Sequence, residues 1–129
     1  MRCLLDANVL IWALYEPERL SQRIQDILAE PDAELVLSHA TLWEVLSKLG
    51  RGNLLLGGET VDDARRRIEE LELEMLAITE EHILASVKLP RHHNDPFDRL
   101  LIAQANQEAV PILSSDRLLP RYEVSVIWD

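Results

Sequence analysis

Short apolar segments of strand length alternate with longer amphipathic segments along the chain. The alternation predicts a parallel α/β sheet, because parallel strands of one sheet need crossover connections, which helices usually supply. The predicted strands lie at residues 2–5, 34–37, 75–78, 111–113 and 124–127. Helices are predicted at residues 7–15, 21–30, 38–50, 60–71 and 79–88, and from residue 95 to shortly before the fourth strand. Gly50 and Gly52 end the third helix, and Gly57-Gly58 predicts a turn.

The size and charge of the chain limit its functional class. Its 129 residues and 14.8 kDa fit one domain, residues 1–129, with a sizeable core. The 23 acidic and 13 basic side chains give a formal net charge of −10. This balance argues against a broad basic platform for nucleic acid but is compatible with a local basic rim. Cys3 is the single cysteine, which excludes an internal disulfide and a zinc site built from several cysteines.

The apolar run from Leu4 to Leu14 has the length of a signal-peptide core. Asp6 and Asn8 interrupt this run, and Glu16 follows it without a cleavage-like site. No stretch has the length and apolar character of a membrane span. We therefore expect a cytoplasmic protein that does not engage a membrane.

The helix predicted from residue 95 carries an acid on its apolar face. Asp95 and Pro96 suit the N-cap and the first helical position, and Asp98 falls at the third. At 3.6 residues per turn, Asp98 shares a face with Leu101 and Ile102. The polar side of this helix is expected to consist mainly of Arg99, Gln104, Asn106 and Gln107. A buried carboxylate needs compensation, either by capping the helix's own N–H groups or by a bound cation, and the helix alone favours the cap.

Acidic residues from distant parts of the chain are predicted to meet at one edge of the sheet. Asp6 ends the first strand, Asp116 lies just beyond the fourth, and Asp95 and Asp98 open the helix before it. Glu44 lies in the second turn of the helix after the second strand. Because strand ends and the following helix starts share an edge in parallel α/β folds, we expect these carboxylates to be neighbours.

Each acid also has a purely structural interpretation. Asp6 could cap the first helix, and Asp116 could be a turn residue. Glu44 lies opposite the expected apolar stripe of its helix and could pair with Lys48 four residues later. As a set, however, neighbouring carboxylates repel one another, and a divalent cation relieves that repulsion. Oxygen ligands of this kind suit Mg²⁺ or Mn²⁺. The adjacent pair His92-His93 does not compete as a ligand pair, because its side chains diverge.

Four segments of the chain carry a family resemblance. They are Leu4-Leu5-Asp6-Ala7-Asn8-Val9-Leu10, Ser38 with Leu42-Trp43-Glu44, His93 with Asp95-Pro96-Phe97-Asp98-Arg99-Leu100-Leu101-Ile102-Ala103, and Ser114-Ser115-Asp116. Together they resemble the PIN domain and, more narrowly, the VapC-type toxins of bacterial toxin–antitoxin pairs. The resemblance implies a three-layer α/β/α sandwich around a parallel five-stranded sheet. It also implies an Mg²⁺- or Mn²⁺-dependent endoribonuclease that cleaves RNA, forms a homodimer and is inhibited by a VapB-like antitoxin.

The resemblance also implies roles for individual residues. The catalytic acids would be Asp6, Glu44, Asp98 and Asp116. Asp6, Asp98 and Asp116 would hold the metal, while Glu44 would orient or deprotonate the attacking water. Three residues would support this set, with Asp95 capping its helix, Ser114 bonding a metal-bound water or a phosphate oxygen, and Asn8 replacing a residue that is often Thr, His or Ser in relatives. A local basic rim contacting the RNA backbone would comprise Arg51, Arg91, His92, His93, Arg99 and Arg117. Arg99 could instead pair with a neighbouring acid.

Two other functions compete with this interpretation. A phosphatase of the haloacid-dehalogenase type also places an Asp after the first strand, but it carries a second Asp two residues later, where this chain has Asn8. A receiver domain is also disfavoured, because the chain lacks the acidic pair that such a domain carries. A non-catalytic PIN-like module that binds RNA or protein would have no reason to keep four acids. Metal-dependent cleavage separates these alternatives.

Overall fold

The fold is built on a sheet of five parallel strands. The computed structural model describes residues 1–51 and 59–129, so the predictions for Gly52 and for the Gly57-Gly58 turn lie outside the described residues. The strands are β1 (Arg2–Leu5), β2 (Glu34–Ser38), β3 (Glu74–Leu76), β4 (Ile112–Leu113) and β5 (Val126–Ile127). Every neighbouring pair is parallel, and the strand order is β3-β2-β1-β4-β5. The predicted parallel α/β sheet is thereby confirmed.

Six α-helices lie in the described part of the chain, close to the predicted positions. They are α1 (Ala7–Tyr15), α2 (Gln22–Ala29), α3 (His39–Gly50), α4 (Val61–Glu70), α5 (Glu80–Lys88) and α6 (Pro96–Glu108). Short 3₁₀ turns at Pro17–Arg19 and Leu119–Arg121 were not anticipated by the sequence pattern. The third strand ends at Leu76 rather than at residue 78, because its last partner on β2 is Ser38. None of the described helices is long and apolar enough to cross a membrane.

The two faces of the sheet bury two separate apolar clusters. Cys3 and Leu5 point to one face, where they pack with residues of α1, α2, α3 and α4. Leu4 points to the other face and packs with Leu101 and Ile102 of α6. This alternation follows from the period of two along a strand. Helices therefore cover both faces, which confirms the three-layer α/β/α arrangement.

The polar side predicted for α6 is wrong at two positions. Arg99 is only 5% exposed and Gln104 is fully buried. The reason is that α5 packs antiparallel along this side of α6. Arg99 donates to the Ser86 carbonyl near the end of α5, while Gln107 donates to the Glu81 carbonyl near its start. A helix that is covered on both sides cannot keep a solvated face at these positions.

Ile102 links α6 to the sheet, and its truncation should measure how much this layer stabilises the fold. We expect Ile102→Ala to lower the free energy of unfolding by about 2–5 kcal/mol, since the side chain is fully buried and leaves a cavity. Ile78→Ala, the same change at a more exposed position after β3, is the matched control. Urea unfolding of both variants tests this, and equal losses would contradict the assigned packing.

Candidate metal centre

Asp6 occupies the junction between β1 and α1. It is the N-cap of α1, and its Oδ1 accepts a hydrogen bond from the Ala7 N–H at 2.8 Å. Its Oδ2 accepts a hydrogen bond from the Ser114 hydroxyl at 2.6 Å. Ser114 follows β4, the neighbour of β1, so the pairing of these two strands brings the side chains together. Asp6 thus caps its helix, as one interpretation predicted, and also contacts the next strand end.

Burial raises the pKa of Asp6, which is only 7% exposed. The hydrogen bonds from Ser114 and Ala7 act in the opposite direction, because they favour the charged form. The negative charges of Glu44 and Asp116 raise the pKa further. Asp6 is therefore close to two of the acids that the sequence placed at this edge.

Asp98 lies in the first turn of α6, but it does not cap the helix. Asp95 is the cap, and its Oδ1 accepts hydrogen bonds from the N–H groups of Phe97 at 2.9 Å and Asp98 at 3.2 Å. Within the described residues, the one partner of the Asp98 carboxylate is Nε2 of His93, 3.2 Å from Oδ2. The interpretation of Asp98 as a cap is therefore wrong, because Asp95 already satisfies those N–H groups. The cap predicted for Asp95 is confirmed.

The Asp98 carboxyl is strongly perturbed by its surroundings. Burial is the first cause that raises its pKa to about 7. The charges of Asp95, Asp6 and Asp116 add to this effect, while the hydrogen bond from His93 lowers the pKa. A carboxyl with a pKa of about 7 is partly protonated near neutral pH, whereas an ordinary aspartate is fully charged there.

Asp116 and Glu44 complete the acidic group, and both also make the local contacts that the sequence suggested. Asp116 forms a turn in which its N–H donates to the Ser114 hydroxyl at 3.0 Å and its Oδ1 accepts from the Leu118 N–H at 2.9 Å. Glu44 pairs with Lys48, with Nζ 2.9 Å from Oε2. Both nevertheless lie near enough to Asp6 for their charges to raise its pKa.

The expected position of Glu44 opposite the buried face of α3 is wrong. The residues of α3 that are buried are Ala40, Thr41, Val45 and Leu49. Glu44 lies one turn from Thr41 and directly before Val45, so it borders the buried face. The buried face is wider than the predicted stripe, because Leu42 and Leu46 pack partly buried against the core while Thr41 and Val45 extend the buried face toward Glu44.

The four acids form a centre of excess negative charge at the carboxyl edge of the sheet. Their oxygen donors suit a hard divalent cation, which would relieve the repulsion that adds to the effect of burial on the pKa values of Asp6 and Asp98. Among the described residues, however, no three or more His, Cys, Asp or Glu side chains already stand in an arrangement that could hold a metal ion. The carboxylates are held instead by the neighbours described above.

The residues assigned to the basic rim differ in their exposure. Those at the surface are Arg51, Arg91, His92 and Arg117. Arg51 lines a cleft of about 350 Å³ with Asn8 and Lys48. Arg117 lines another cleft, of about 470 Å³, with Ser114 and Asp116.

Two of the rim residues face inward. His93 is half-buried against Asp98. The prediction that Arg99 contacts RNA is wrong, because its guanidinium is buried and bonds backbone carbonyls of Ser86, Leu89 and Pro90. The alternative, an ion pair between Arg99 and an acid, is also absent from the described residues.

Two aromatic residues near the acids were not assigned from the sequence. The Tyr122 hydroxyl lies 2.7 Å from Nδ1 of His93. Nothing in the sequence around Tyr122 distinguishes it from an ordinary core aromatic, so this contact could not have been found by pattern. Trp43, directly before Glu44, is 66% exposed and packs edge-on against Phe97 with ring centroids 5.3 Å apart.

Comparisons with known proteins agree with this architecture. The PIN domain family model matches residues 3–124. No curated protein sequence matches the chain significantly. A chain in the structure of VapBC2 from Rickettsia felis, bound to a DNA fragment from its promoter, has a TM-score of 0.77 at 14% identity and covers 100% of both chains. FitAcB from Neisseria gonorrhoeae has a TM-score of 0.71 at 22% identity, covering 97% of this chain and 96% of that one.

A third solved structure is VapC20 from Mycobacterium tuberculosis, described as a sarcin–ricin loop cleaving toxin. It has a TM-score of 0.69 at 12% identity and covers 98% of this chain and 99% of that one. At these identities the likeness establishes a common fold.

The raised pKa of Asp98 predicts a pH-dependent effect of Asp98→Asn on the metal-free chain. Between about pH 4 and the folded-state value of about 7, the folded chain binds a proton that the unfolded chain has released, so stability falls as the pH rises. Asp98→Asn should therefore stabilise the chain at pH 8 in EDTA, and the gain should shrink as the pH falls toward about 4.

Thermal unfolding at several pH values measures this effect. Asp32→Asn, at an exposed position before β2 and away from the acidic edge, is the control and should show no comparable pH-dependent gain. Destabilisation of the Asp98→Asn variant at pH 8 would contradict the assignment of the capping role to Asp95.

Proposed function

The chain belongs to the PIN domain family, and on that premise we propose that it is a metal-dependent endoribonuclease, the VapC-type toxin of a toxin–antitoxin pair. The observation that carries the proposal is the convergence of four acids at one sheet edge, two of them with a raised pKa. Perturbed carboxyl groups of this kind are typical of catalytic sites. The reaction would be hydrolysis of an RNA phosphodiester.

Asp6, Asp98 and Asp116 would hold Mg²⁺ or Mn²⁺. When bound, the cation supplies charge neutralisation at the scissile phosphate and lowers the pKa of water. Ser114 keeps Asp6 in place through its hydroxyl, and Asp95 fixes the first turn of α6 from which Asp98 projects.

Glu44 would orient the attacking water and accept its proton. Lys48 contacts Oε2 of Glu44, which leaves Oε1 as the atom that receives the proton. The water oxygen would form a bond to phosphorus as the P–O bond to the leaving sugar breaks. One water proton would pass to Oε1 of Glu44 and then to the leaving sugar oxygen, directly or through solvent, and the other would remain on the phosphate product.

The RNA backbone would follow the exposed members of the basic rim. Arg51, Arg91, His92 and Arg117 are accessible and would contact phosphates near the acids. The chain as a whole carries a net charge of −10, which repels RNA. Binding would therefore depend on the local contacts of these basic side chains. His93 and Arg99 do not belong to this rim in our proposal.

A VapB-like antitoxin and a second copy of the chain are the proposed protein partners. Support for the antitoxin is the likeness to chains described as parts of toxin–antitoxin complexes, among them one from Klebsiella pneumoniae. Support for a homodimer is an exposed apolar stripe on α5, formed by Ile83, Leu84 and Val87. Apolar stripes of this kind often mark an interface.

Cleavage of total cellular RNA tests the activity. We expect discrete fragments with Mg²⁺ or Mn²⁺, intact RNA with EDTA, and loss of cleavage in Asp98→Asn but not in the surface control Asp32→Asn. The chain is first freed of any copurifying partner, and a small protein whose return suppresses cleavage would be the antitoxin. Intact RNA in every arm with a folded chain would favour a non-catalytic PIN-like module. Hydrolysis of a phosphomonoester instead of RNA would favour the phosphatase.

The oligomeric state tests the interface. We expect Leu84→Asp to convert a dimer into a monomer in sedimentation analysis, because it places a charge in the α5 stripe. Leu71→Asp, the same change at an exposed leucine after α4, is the control and should remain dimeric. A Leu84→Asp variant that stays dimeric would remove α5 from the interface.

A further inference from the structure

The side chains of Arg99, Tyr122 and His93 form a hydrogen-bonded series that ends at Asp98. The proposed reaction does not use this series, which we call the positioning chain. The Tyr122 hydroxyl lies 3.2 Å from Nη1 of Arg99, 3.2 Å from the backbone N of His93 and 2.7 Å from Nδ1 of the His93 ring. Nε2 of the same ring lies 3.2 Å from Oδ2 of Asp98. The hydroxyl is thus connected to Asp98 through the two nitrogens of one imidazole.

The direction of these hydrogen bonds follows from the groups that can only donate. A phenol oxygen can accept hydrogen bonds and has one hydrogen to donate. Arg99 and the His93 backbone are obligatory donors, so both approach the oxygen as acceptor. The hydroxyl hydrogen then has two acceptors in reach, Nδ1 of His93 at 2.7 Å and the His93 carbonyl at 3.4 Å. The shorter contact is the better hydrogen bond.

This direction decides which ring nitrogen carries the proton. If Nδ1 accepts from Tyr122, the neutral ring has its hydrogen on Nε2. The Nε2–H group then donates to Oδ2 of Asp98. In the other neutral tautomer, Nδ1–H would face a hydroxyl that already receives two donors, and the hydroxyl hydrogen would be left with the 3.4 Å contact to the His93 carbonyl. When Asp98 is ionised, Nε2 would also face a carboxylate oxygen without a hydrogen between them.

Arg99 anchors this arrangement to the backbone. Besides Tyr122, its guanidinium donates to the carbonyls of Pro90 at 2.8 Å, Ser86 at 3.0 Å and Leu89 at 3.0 Å. These oxygens belong to the end of α5 and to the loop that leads to His93. Arg99 follows Asp98 directly on α6, so it ties the loop carrying the imidazole to the helix carrying the carboxylate.

We propose that Arg99, Tyr122 and His93 are positioning residues that fix His93 as its Nε2–H tautomer, so that it holds Oδ2 of Asp98 and leaves Oδ1 for a divalent cation. The proposal rests on the function proposed above only in its last element, the cation. Groups that hydrogen-bond to metal-binding side chains typically change metal affinity by about 10–100-fold when they are removed. In this proposal, His93 and Arg99 position Asp98 and do not contact RNA.

A double-mutant cycle with Tyr122→Phe and His93→Gln tests the proposal. A Gln amide carries its own N–H donors and needs no neighbour to select a tautomer. Tyr122→Phe should weaken Mn²⁺ binding in the native background, by about twofold where the two tautomers become equally populated. The same change should have little further effect in the His93→Gln background. Equal losses in both backgrounds would show that Tyr122 acts through packing alone and would overturn the proposal.

Tyr15→Phe is the matched control for removing a tyrosine hydroxyl. Tyr15 ends α1, nine residues after Asp6 and therefore about 13 Å along the helix from it. This variant should bind Mn²⁺ as the unmodified chain does. Circular dichroism checks that Tyr122→Phe still folds, which we expect because the ring stays in the Leu4 cluster.

A long-range ¹H–¹⁵N spectrum of the metal-free chain provides a test without metal or RNA. It distinguishes the two ring nitrogens of the histidines, and the His93→Gln spectrum identifies the His93 signals. We expect the Nε2–H tautomer at His93 and a mixture of tautomers in Tyr122→Phe. An Nδ1–H tautomer in the native chain would overturn the proposal whatever the cleavage assay shows. A confirmed tautomer with no RNA cleavage would leave the positioning chain intact and reject the nuclease alone.

Discussion

Concentration of negative charge at one edge of a parallel sheet is the constraint on which this structure depends. The strand order places β1 between β2 and β4, and all three strands end at the same edge. Residues that follow them, such as Asp6 and Ser114, must therefore be neighbours. The helix after β2 adds Glu44, and the start of α6 adds Asp98. The topology that buries the core thus forces the acids together. Burial, and with it the repulsion between the acids, raises the pKa of Asp6 and Asp98.

The protein compensates these acids to different degrees. Asp6 receives two hydrogen bonds, from a backbone N–H and from the Ser114 hydroxyl. Asp116 receives one from a backbone N–H, and Glu44 has the ammonium of Lys48. Asp98 has only the imidazole of His93 among the described residues, while Asp95 takes the backbone N–H groups nearby. Burial and the neighbouring acids raise the pKa of Asp98 to about 7, and the hydrogen bond from His93 opposes them.

Local sequence patterns predicted most of the fold because the relevant physics is local. Strand and helix alternation and the N-cap of α6 depend on neighbours close in sequence. The position of Asp98 on a buried face was also visible in the period of α6. Burial of Arg99 was not, because it depends on α5 packing against a side of α6 that one helix's pattern classifies as solvated. The contact of Tyr122 with His93 joins residues 29 positions apart, and no local pattern encodes it.

Binding of a cation at the acidic edge would also raise the free energy of unfolding. A cation that binds only the folded chain adds about 2.7 kcal/mol of stability at a hundredfold excess over its dissociation constant. Proteins commonly retain unfavourable charge where function requires it and offset it elsewhere. Here the offset comes from two apolar clusters on opposite faces of the sheet, neither of which includes the acids. The positioning chain would orient Asp98 through a hydrogen bond from an imidazole, whereas a guanidinium in the same place would carry a permanent positive charge. An arginine in direct contact with Asp98 would neutralise the edge and remove its affinity, which gives a physical reason for Arg99 to act through Tyr122 and His93.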